Sequence, residues 1–231
     1  MRTIHEHLRI SAVIPTLDEE RNLLRALVRL SEFSLVGEIV VADGGSRDGT
    51  AAVAVQAGAR IVGAPRGRGS QLASGAAAAT GDWLLFLHAD CRLEVGWTDA
   101  VRTFIAAPGA GDRAGYFDLA LDDDALAARR LERAVAWRCR VLALPYGDQG
   151  LLISRALYDA VGGYAAIPLM EDVDLARRLG RARLKPVGAT ITASAARYIR
   201  DGYCRRSLCN LMCLSLYFVG VSPARIARLY G

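Results

Sequence analysis

Apolar runs and amphipathic stretches alternate along the first hundred residues. RISAVIPTL is β-branched and apolar up to Pro15, and DEERNLLRALVRLSEF then places Leu23, Leu24, Leu27, Val28 and Leu30 on one helical face, with acids in its first turn. EIVVAD reads as a second strand, GGSRDGT as a glycine-rich loop and TAAVAVQAGA as a helix. ARIVGA, the loop PRGRGS and the helix QLASGAAAA repeat the unit, and GDWLLFLHAD is a fourth strand. Near-continuous apolar strands separated by helices predict a parallel sheet covered on both faces, an α/β doubly wound architecture.

Beyond Trp97 the pattern loosens. AGYFDLALDD predicts a strand, DALAARRLERAVAWRCRVLAL a long helix, DQGLLISR a strand, and GGYAAIPLMEDVDLARRL a loop entering a helix. KPVGATITAS predicts short strands, followed by apolar helices and a last helix with Ser222 as N-cap and Pro223 at its first position. No linker, low-complexity segment or repeat interrupts the chain. The expected organisation is one domain over 1–231: a first half to about residue 100, a second to about 195, and a C-terminal helical appendage over 196–231.

Composition refines this picture modestly. About half of the 231 residues are apolar, enough for a full core. The net charge of +5 is carried almost wholly by arginine, Lys185 being the one lysine. From Arg177 onward there are eleven Arg or Lys against one acid, Asp201, a basic segment suited to phosphate, nucleic acid or an anionic membrane surface, or simply to solvent. Five cysteines without a CxxC pair indicate neither a zinc ribbon nor a disulfide framework; Cys204, Cys209 and Cys213 read as small core residues. MRTIHEHLRI lacks the apolar core of a signal peptide, and LCNLMCLSLYFVGV is too short to span a bilayer. The expected location is cytoplasmic, with peripheral contact at the inner membrane face left open.

In doubly wound sheets ligands bind beyond the carboxyl ends of the strands. Here those ends carry Pro15 to Glu19, Asp43 to Asp48, Arg66 to Gln71, and His88 with Asp90. Asp43, followed by two glycines, suits a base edge or ribose hydroxyls, and equally a cap on its own turn. Asp48 with Thr50 reads as helix capping. Arg66 and Arg68 beside a helix start can meet a diphosphate. A dinucleotide fingerprint is not completed, since Leu72 stands where it needs glycine, and no P-loop lysine is present. Gln71 is expected at the exposed start of its helix. His88 and Asp90, two apart, would share a face of a regular strand, and such a carboxylate suits Mg²⁺ or Mn²⁺, the imidazole favouring Mn²⁺. Taken alone the pair also reads as a polar strand end. Glu171-Asp172 at a helix start serves either the helix dipole or proton abstraction.

VIPTLDEE, EIVVADGGSRDGT, GRGSQLASGAAAATGDWLLFLHAD and GGYAAIPLMEDVDLARRL, in this order over about residues 9 to 180, resemble the family-2 glycosyltransferases of the GT-A fold. HAD, DQG and GVSPARIARLY look most like a small soluble subgroup associated with arsenosugar biosynthesis. The resemblance implies a nucleotide-sugar donor, Mn²⁺ or Mg²⁺, and inversion at the anomeric carbon. It implies nucleotide contacts from Pro15, Thr16, Glu19, Asp43, Arg68 and Gln71, a metal ligand in Asp90 with His88 where the family has a first acid, and a catalytic base in the Glu171-Asp172 pair, Asp172 for preference. The second departure from the pattern is Ala42, which precedes Asp43 where an acid is usual.

The expected function is therefore metal-assisted, inverting transfer of a sugar, UDP-linked by preference, to a small-molecule or lipid-linked acceptor hydroxyl. Gln149 and Tyr146 are the expected sugar or acceptor contacts. No nucleic-acid partner is expected, and a homodimer is left open. Two alternatives stand beside this reading: a non-catalytic nucleotide-sugar binder or membrane-docked partner protein, and a sugar-phosphate nucleotidyltransferase, against which the acidic VIPTLDEE turn argues.

Overall fold

A computed structural model describes residues 8–230. The opening residues 1–7, on which the signal-peptide expectation rests in part, lie outside the described residues. Strands β1 (Ile10–Thr16), β2 (Val36–Asp43), β3 (Arg60–Gly63) and β4 (Trp83–Phe86) alternate with helices α1 (Glu20–Ser31), α2 (Thr50–Gln56) and α3 (Arg68–Ala78). Then come β5 (Cys91–Leu93), α4 (Trp97–Ala106), β6 (Ala114–Leu121), α5 (Leu126–Leu142), β7 (Leu151–Ser154) and α6 (Arg155–Ala160). The chain ends with α7 (Glu171–Leu179), β8 (Leu184–Ala193), α8 (Ala196–Asp201), α9 (Tyr203–Phe218) and α10 (Pro223–Tyr230).

All eight strands join one sheet in the order β3-β2-β1-β4-β7-β6-β8-β5. The first four are parallel, as expected, so their carboxyl ends share one rim. The second half is mixed: β7 runs antiparallel to both β4 and β6, β8 is parallel to β6, and β5 is antiparallel to β8. The reversal at β7 places Leu151, its first residue, opposite Phe86, the last residue of β4. The segment entering β7 therefore arrives on the functional rim.

The central strands are buried almost throughout, and successive side chains enter opposite core layers because they point to opposite faces. Ile10, Ala12 and Ile14 of β1 and Leu85 of β4 pack into one core layer with Leu23, Leu27 and Leu30 of α1 and Val101 of α4. Val13, Leu84 and Phe86 face the other layer, against Leu72 of α3, Val173 and Leu175 of α7, Leu214 of α9 and Ile226 of α10. The apolar stripe of α1 is narrower than its sequence suggests: Leu24 and Val28 are half exposed, and Ala26 fills the buried face instead.

Three further expectations are revised. KPVGATITAS forms one long strand, β8, because it pairs on both sides. Cys204 is exposed on α9 while Cys213 is buried and Cys209 intermediate, since one face of that helix meets the core. Strand β5 was not foreseen; three residues are too few to show a period. Among the described residues no helix is long and apolar enough to cross a membrane.

Helix α3 begins at Arg68, so the second half of the arginine-bearing loop is its first turn and Arg66 lies before it. Gly69 makes that start workable: a Cβ there would stand 2.3 Å from the Ala165 carbonyl oxygen and 2.6 Å from that of Ile167. Gly69→Ala is expected to cost about 1–3 kcal/mol, as overpacking against backbone typically does, read as a lowered urea midpoint.

Candidate active site

The rim is built from loops laced to one another. Asp18 Oδ1 accepts the Arg47 N–H at 2.8 Å, Ser46 Oγ accepts the Asp18 N–H at 2.9 Å, and Thr50 Oγ1 accepts the Glu19 N–H at 2.8 Å. Asp48 caps as expected, accepting the N–H groups of Thr50 and of Glu20. Asp43 accepts from the Gly45 and Ser46 N–H groups and from the hydroxyls of Ser46 and Thr16. Burial pushes its carboxyl up, but these hydrogen bonds outweigh it and hold the group below the ordinary carboxylate range. The turn-capping reading of Asp43 is the one this geometry displays.

Gln71 corrects its expectation. It is buried, 5% exposed, and its Nε2 donates to the carbonyls of Thr16 and Ala42, fastening α3 to the ends of β1 and β2. With its amide nitrogen spent on backbone, it is a staple beneath the rim, not a residue at an exposed helix start. Thr16 is likewise buried, while Pro15 and Glu19 are partly accessible. Burial, with a smaller push from Asp90, raises the Glu19 carboxyl, so Glu19 and Asp90 share one electrostatic neighbourhood.

A cavity of about 390 Å³ opens beside this rim. Arg68, His88, Asp90, Asp148, Glu171 and Asp172 all line it, the first from α3, the next two from the turn after β4, and the last two from the start of α7. His88 and Asp90 do not share a strand face, because β4 ends at Phe86 and a turn closed by the Cys91 N–H to the His88 carbonyl follows. The turn nonetheless gathers them: a ring nitrogen of His88, a carboxylate oxygen of Asp90 and the Cys91 sulfur lie within 4.8 Å of one another. His88 Nε2 is buried without a hydrogen-bond partner. Burial, then the charges of Arg68 and Arg197, push the imidazole well below its ordinary value, leaving it neutral with a lone pair to give. Cys91 is a poorer ligand, since burial and the nearby Asp90 push its thiol well up.

Asp172 is held from below: its Oδ2 accepts the Gly147 N–H at 2.8 Å and its Oδ1 the Val173 N–H at 2.7 Å. Gly147 also admits His88, for a Cβ on it would sit 2.6 Å from Nε2. Met170, immediately before α7, takes a left-handed backbone conformation with φ of 67°, a strained setting for a non-glycine residue. Glu171 is 1% exposed, its Oε1 lacks a hydrogen bond, and Arg68 Nε stands 3.7 Å away. Burial, then Asp172, raise the Glu171 carboxyl, and Arg68 offsets part of that rise.

Asp148, the first residue of DQG, was not among the expected site residues. It belongs to the site: Oδ1 is buried and unpartnered, and burial, reinforced by Asp172 and Asp90 against Arg138 and Arg68, pushes its carboxyl up to about 6. No single-residue signal marks it; only the return of the chain on β7 brings it here. Gln149 is a second correction, since it is 1% exposed and hydrogen-bonds Arg138, Cys139 and the Phe117 carbonyl inside the fold. Tyr146 does line the cavity, with the Arg138 guanidinium 3.4 Å from its ring centre.

The mixed sheet, with its parallel rim facing this cavity, is the GT-A fold, shared with solved glycosyltransferase structures. The crystal structure of glucosyl-3-phosphoglycerate synthase from Mycobacterium tuberculosis in complex with Mn²⁺, UDP and glucosyl-3-phosphoglycerate superposes with a TM-score of 0.55 at 23% identity, covering 89% of this chain and 79% of that one. A mycobacterial protein of known structure gives 0.58 at 23% identity, over 90% of this chain and 74% of that one. The chain belongs to glycosyl transferase family 2, whose profile matches residues 11–167. A curated relative, glucosyl-3-phosphoglycerate synthase of Mycolicibacterium paratuberculosis (strain ATCC BAA-968 / K-10), is 37% identical over 92 residues, a match spanning 35% of this chain and only 28% of the relative.

The Asp148 carboxyl sets a pH dependence. Its folded value near 6 exceeds the ordinary one, so its contribution to stability is fully present below about pH 4 and is lost as pH rises through about 6. Asp148→Asn cannot ionise. In chelator, it is expected to stabilise the fold at pH 8 by up to about 3 kcal/mol and to give no such gain at pH 4, read from urea midpoints at the two pH values. An equal difference at both would refute the assignment.

Proposed function

We propose that the chain transfers a sugar from a nucleotide-diphosphate donor, UDP-linked by preference, to an acceptor hydroxyl with inversion at the anomeric carbon. The observation that carries this reading is the meeting of Asp172, Asp90, His88 and Arg68 on one cavity at the rim of a family-2 fold. The similar mycobacterial synthase is described with UDP and Mn²⁺ or Mg²⁺, which supports the choice of base and cation here. Residues to about 100 form the donor half in this reading, and those to about 195, with the C-terminal helices, the acceptor half.

Asp172 takes the proton from the acceptor hydroxyl, and the acceptor oxygen attacks the anomeric carbon opposite the diphosphate. The bond from that carbon to the diphosphate oxygen breaks as the new one forms. Its anchoring by two backbone N–H groups aims the Asp172 carboxylate while leaving lone pairs for this task. Arg68 stands beside the same acids and offers a fixed positive charge to the departing diphosphate. Asp90 and the unpartnered, neutral His88 are the residues that would hold a divalent cation, the carboxylate suiting Mn²⁺ or Mg²⁺ and the imidazole nitrogen favouring Mn²⁺. Such a cation supplies charge stabilisation for the leaving group.

Asp43 takes part in nucleotide recognition only by exchanging one of the turn contacts that now occupy it. Placement in the subgroup associated with arsenosugar biosynthesis rests on the HAD, DQG and GVSPARIARLY segments alone, and the curated relative bears a different name.

Release of UDP from UDP-glucose in Mn²⁺, with a thermal shift by UDP as the binding readout, tests the proposal. Asp172→Asn keeps an oxygen for the Gly147 N–H but cannot act as a base, so turnover is expected to fall by about 10²–10⁴-fold with UDP binding preserved. Normal turnover by the variant would remove the base assignment, and absence of any UDP shift in the parent would remove the donor.

A further inference from the structure

The cavity has two ends of opposite chemistry. All four of its lining acids, Asp90, Asp148, Glu171 and Asp172, gather at the reacting end. Besides Arg68, the other cationic lining groups are Arg138 from α5, whose charge reaches Asp148, Arg197 from α8, whose charge reaches His88, and Arg206 from α9. Between these arginines the wall is apolar, with Trp137 and Leu142 from α5 and Leu211 and Leu214 from α9. Trp137, Leu142 and Leu211 are also 58%, 47% and 58% exposed, which fixes the mouth of the cavity between α5 and α9. A second groove of about 600 Å³ adjoins the same wall, sharing Leu142 and Leu214 and continuing over Phe218 and Val219 with Arg177 and Arg181 beside it.

We propose that this outer chamber is the acceptor subsite and that the acceptor is an amphiphile: a small head bearing the reacting hydroxyl and an anionic group, attached to a hydrocarbon chain. The assignment rests on the glycosyltransferase reading above. Charge orients the head. With Arg68 beside Glu171 and given to the diphosphate, an anionic group on the acceptor is left to the three further arginines. Arg138 is already committed to the Leu144 carbonyl and Gln149, and Arg206 to Tyr230 and, at 3.6 Å, Asp201. Arg197 makes no hydrogen bond or ion pair among the described residues and is the available receptor.

The apolar wall decides between a water-soluble acid and an amphiphile. A short hydroxy acid held at Arg197 leaves Trp137, Leu142 and Leu211 facing water, whereas a chain leaving the head along α5 and α9 covers them and reaches the adjoining groove. Burial of each methylene against such a wall is favourable. Transfer forms a bond from the head's oxygen to the anomeric carbon, breaks that carbon's bond to the diphosphate, and passes the hydroxyl proton to Asp172. Nothing is oxidised or reduced.

Calorimetric titration, below micelle concentrations, compares glycerol 3-phosphate with 1-octanoyl- and 1-dodecanoyl-glycerol 3-phosphate, each of which keeps a free hydroxyl. Binding is expected to tighten by at least about tenfold from the octanoyl to the dodecanoyl chain. Leu211→Glu should weaken dodecanoyl binding by at least about tenfold, whereas Val55→Glu, an equally exposed site on α2, should not change it. Affinity independent of chain length overturns the proposal, and so does chain-length dependence that Leu211→Glu leaves intact, which marks adsorption elsewhere. A UDP thermal shift in Mn²⁺ on the same protein separates the two readings. UDP binding without chain-length dependence removes only the amphiphilic acceptor, and failure to bind UDP removes the glycosyltransferase reading itself.

Discussion

The antiparallel pairing of β7 with β4 is the contact on which the site depends. Four parallel strands alone deliver His88 and Asp90 to a rim, with nothing opposite them. Because Leu151 pairs with Phe86, the turn over 147–149 is set down beside the end of β4. That turn carries Asp148 into the cavity, lends the Gly147 N–H to Asp172, and leaves room for the His88 ring. A parallel β7 would have put its carboxyl end, at Ser154, on this rim instead. Strand direction, more than any one side chain, assembles the second half of the site.

The price of that assembly is electrostatic. Asp148, Glu171 and Asp172 are brought together where water is scarce, with Arg68 as the cation in ion-pair range of Glu171. Burial accordingly raises both Asp148 and Glu171. The start of α7, with its exposed N–H groups, opposes the rise, and the capture of the Val173 N–H by Asp172 is one expression of it. The orphaned oxygens of Asp148 and Glu171 and the orphaned nitrogen of His88 are all found around this one cavity. Buried polar groups without partners are uncommon in folded proteins, and their concentration here marks a place arranged for ligands rather than for stability.

Much of the donor half was legible because its physics is local. Apolar runs of four to eight residues broken by helical periods announce parallel strands, and polar residues at their ends announce the rim. The acids at the start of α7 and Asp90 were visible as polar residues with more than one reading, and only the family resemblance implied roles for them. What escaped the sequence depends on contacts across long chain separations. Asp148 becomes a site residue only when β7 docks against β4, whose paired residues lie 65 to 71 positions earlier in the chain. Gln71 and Gln149 look like ligand-seeking amides in sequence, yet each is satisfied by backbone or by Arg138 once the sheet is formed. Leu24 and Val28 fit a helical stripe but face away, since α1 presents only a narrow strip to the sheet. The turn after β4 defeated a face argument that holds only within a regular strand.

The disposition of the tryptophans has a use of its own. Trp83 and Trp97 are packed in the core, at 5% and 2% exposure, while Trp137 stands at the cavity mouth. Indole emission shifts to longer wavelength in contact with water, so the red side of this protein's fluorescence arises from a single position. A soluble quencher such as iodide reaches that ring and not the other two. The chain thus carries an intrinsic optical reporter of whatever enters between α5 and α9, with no dye attached and no residue changed.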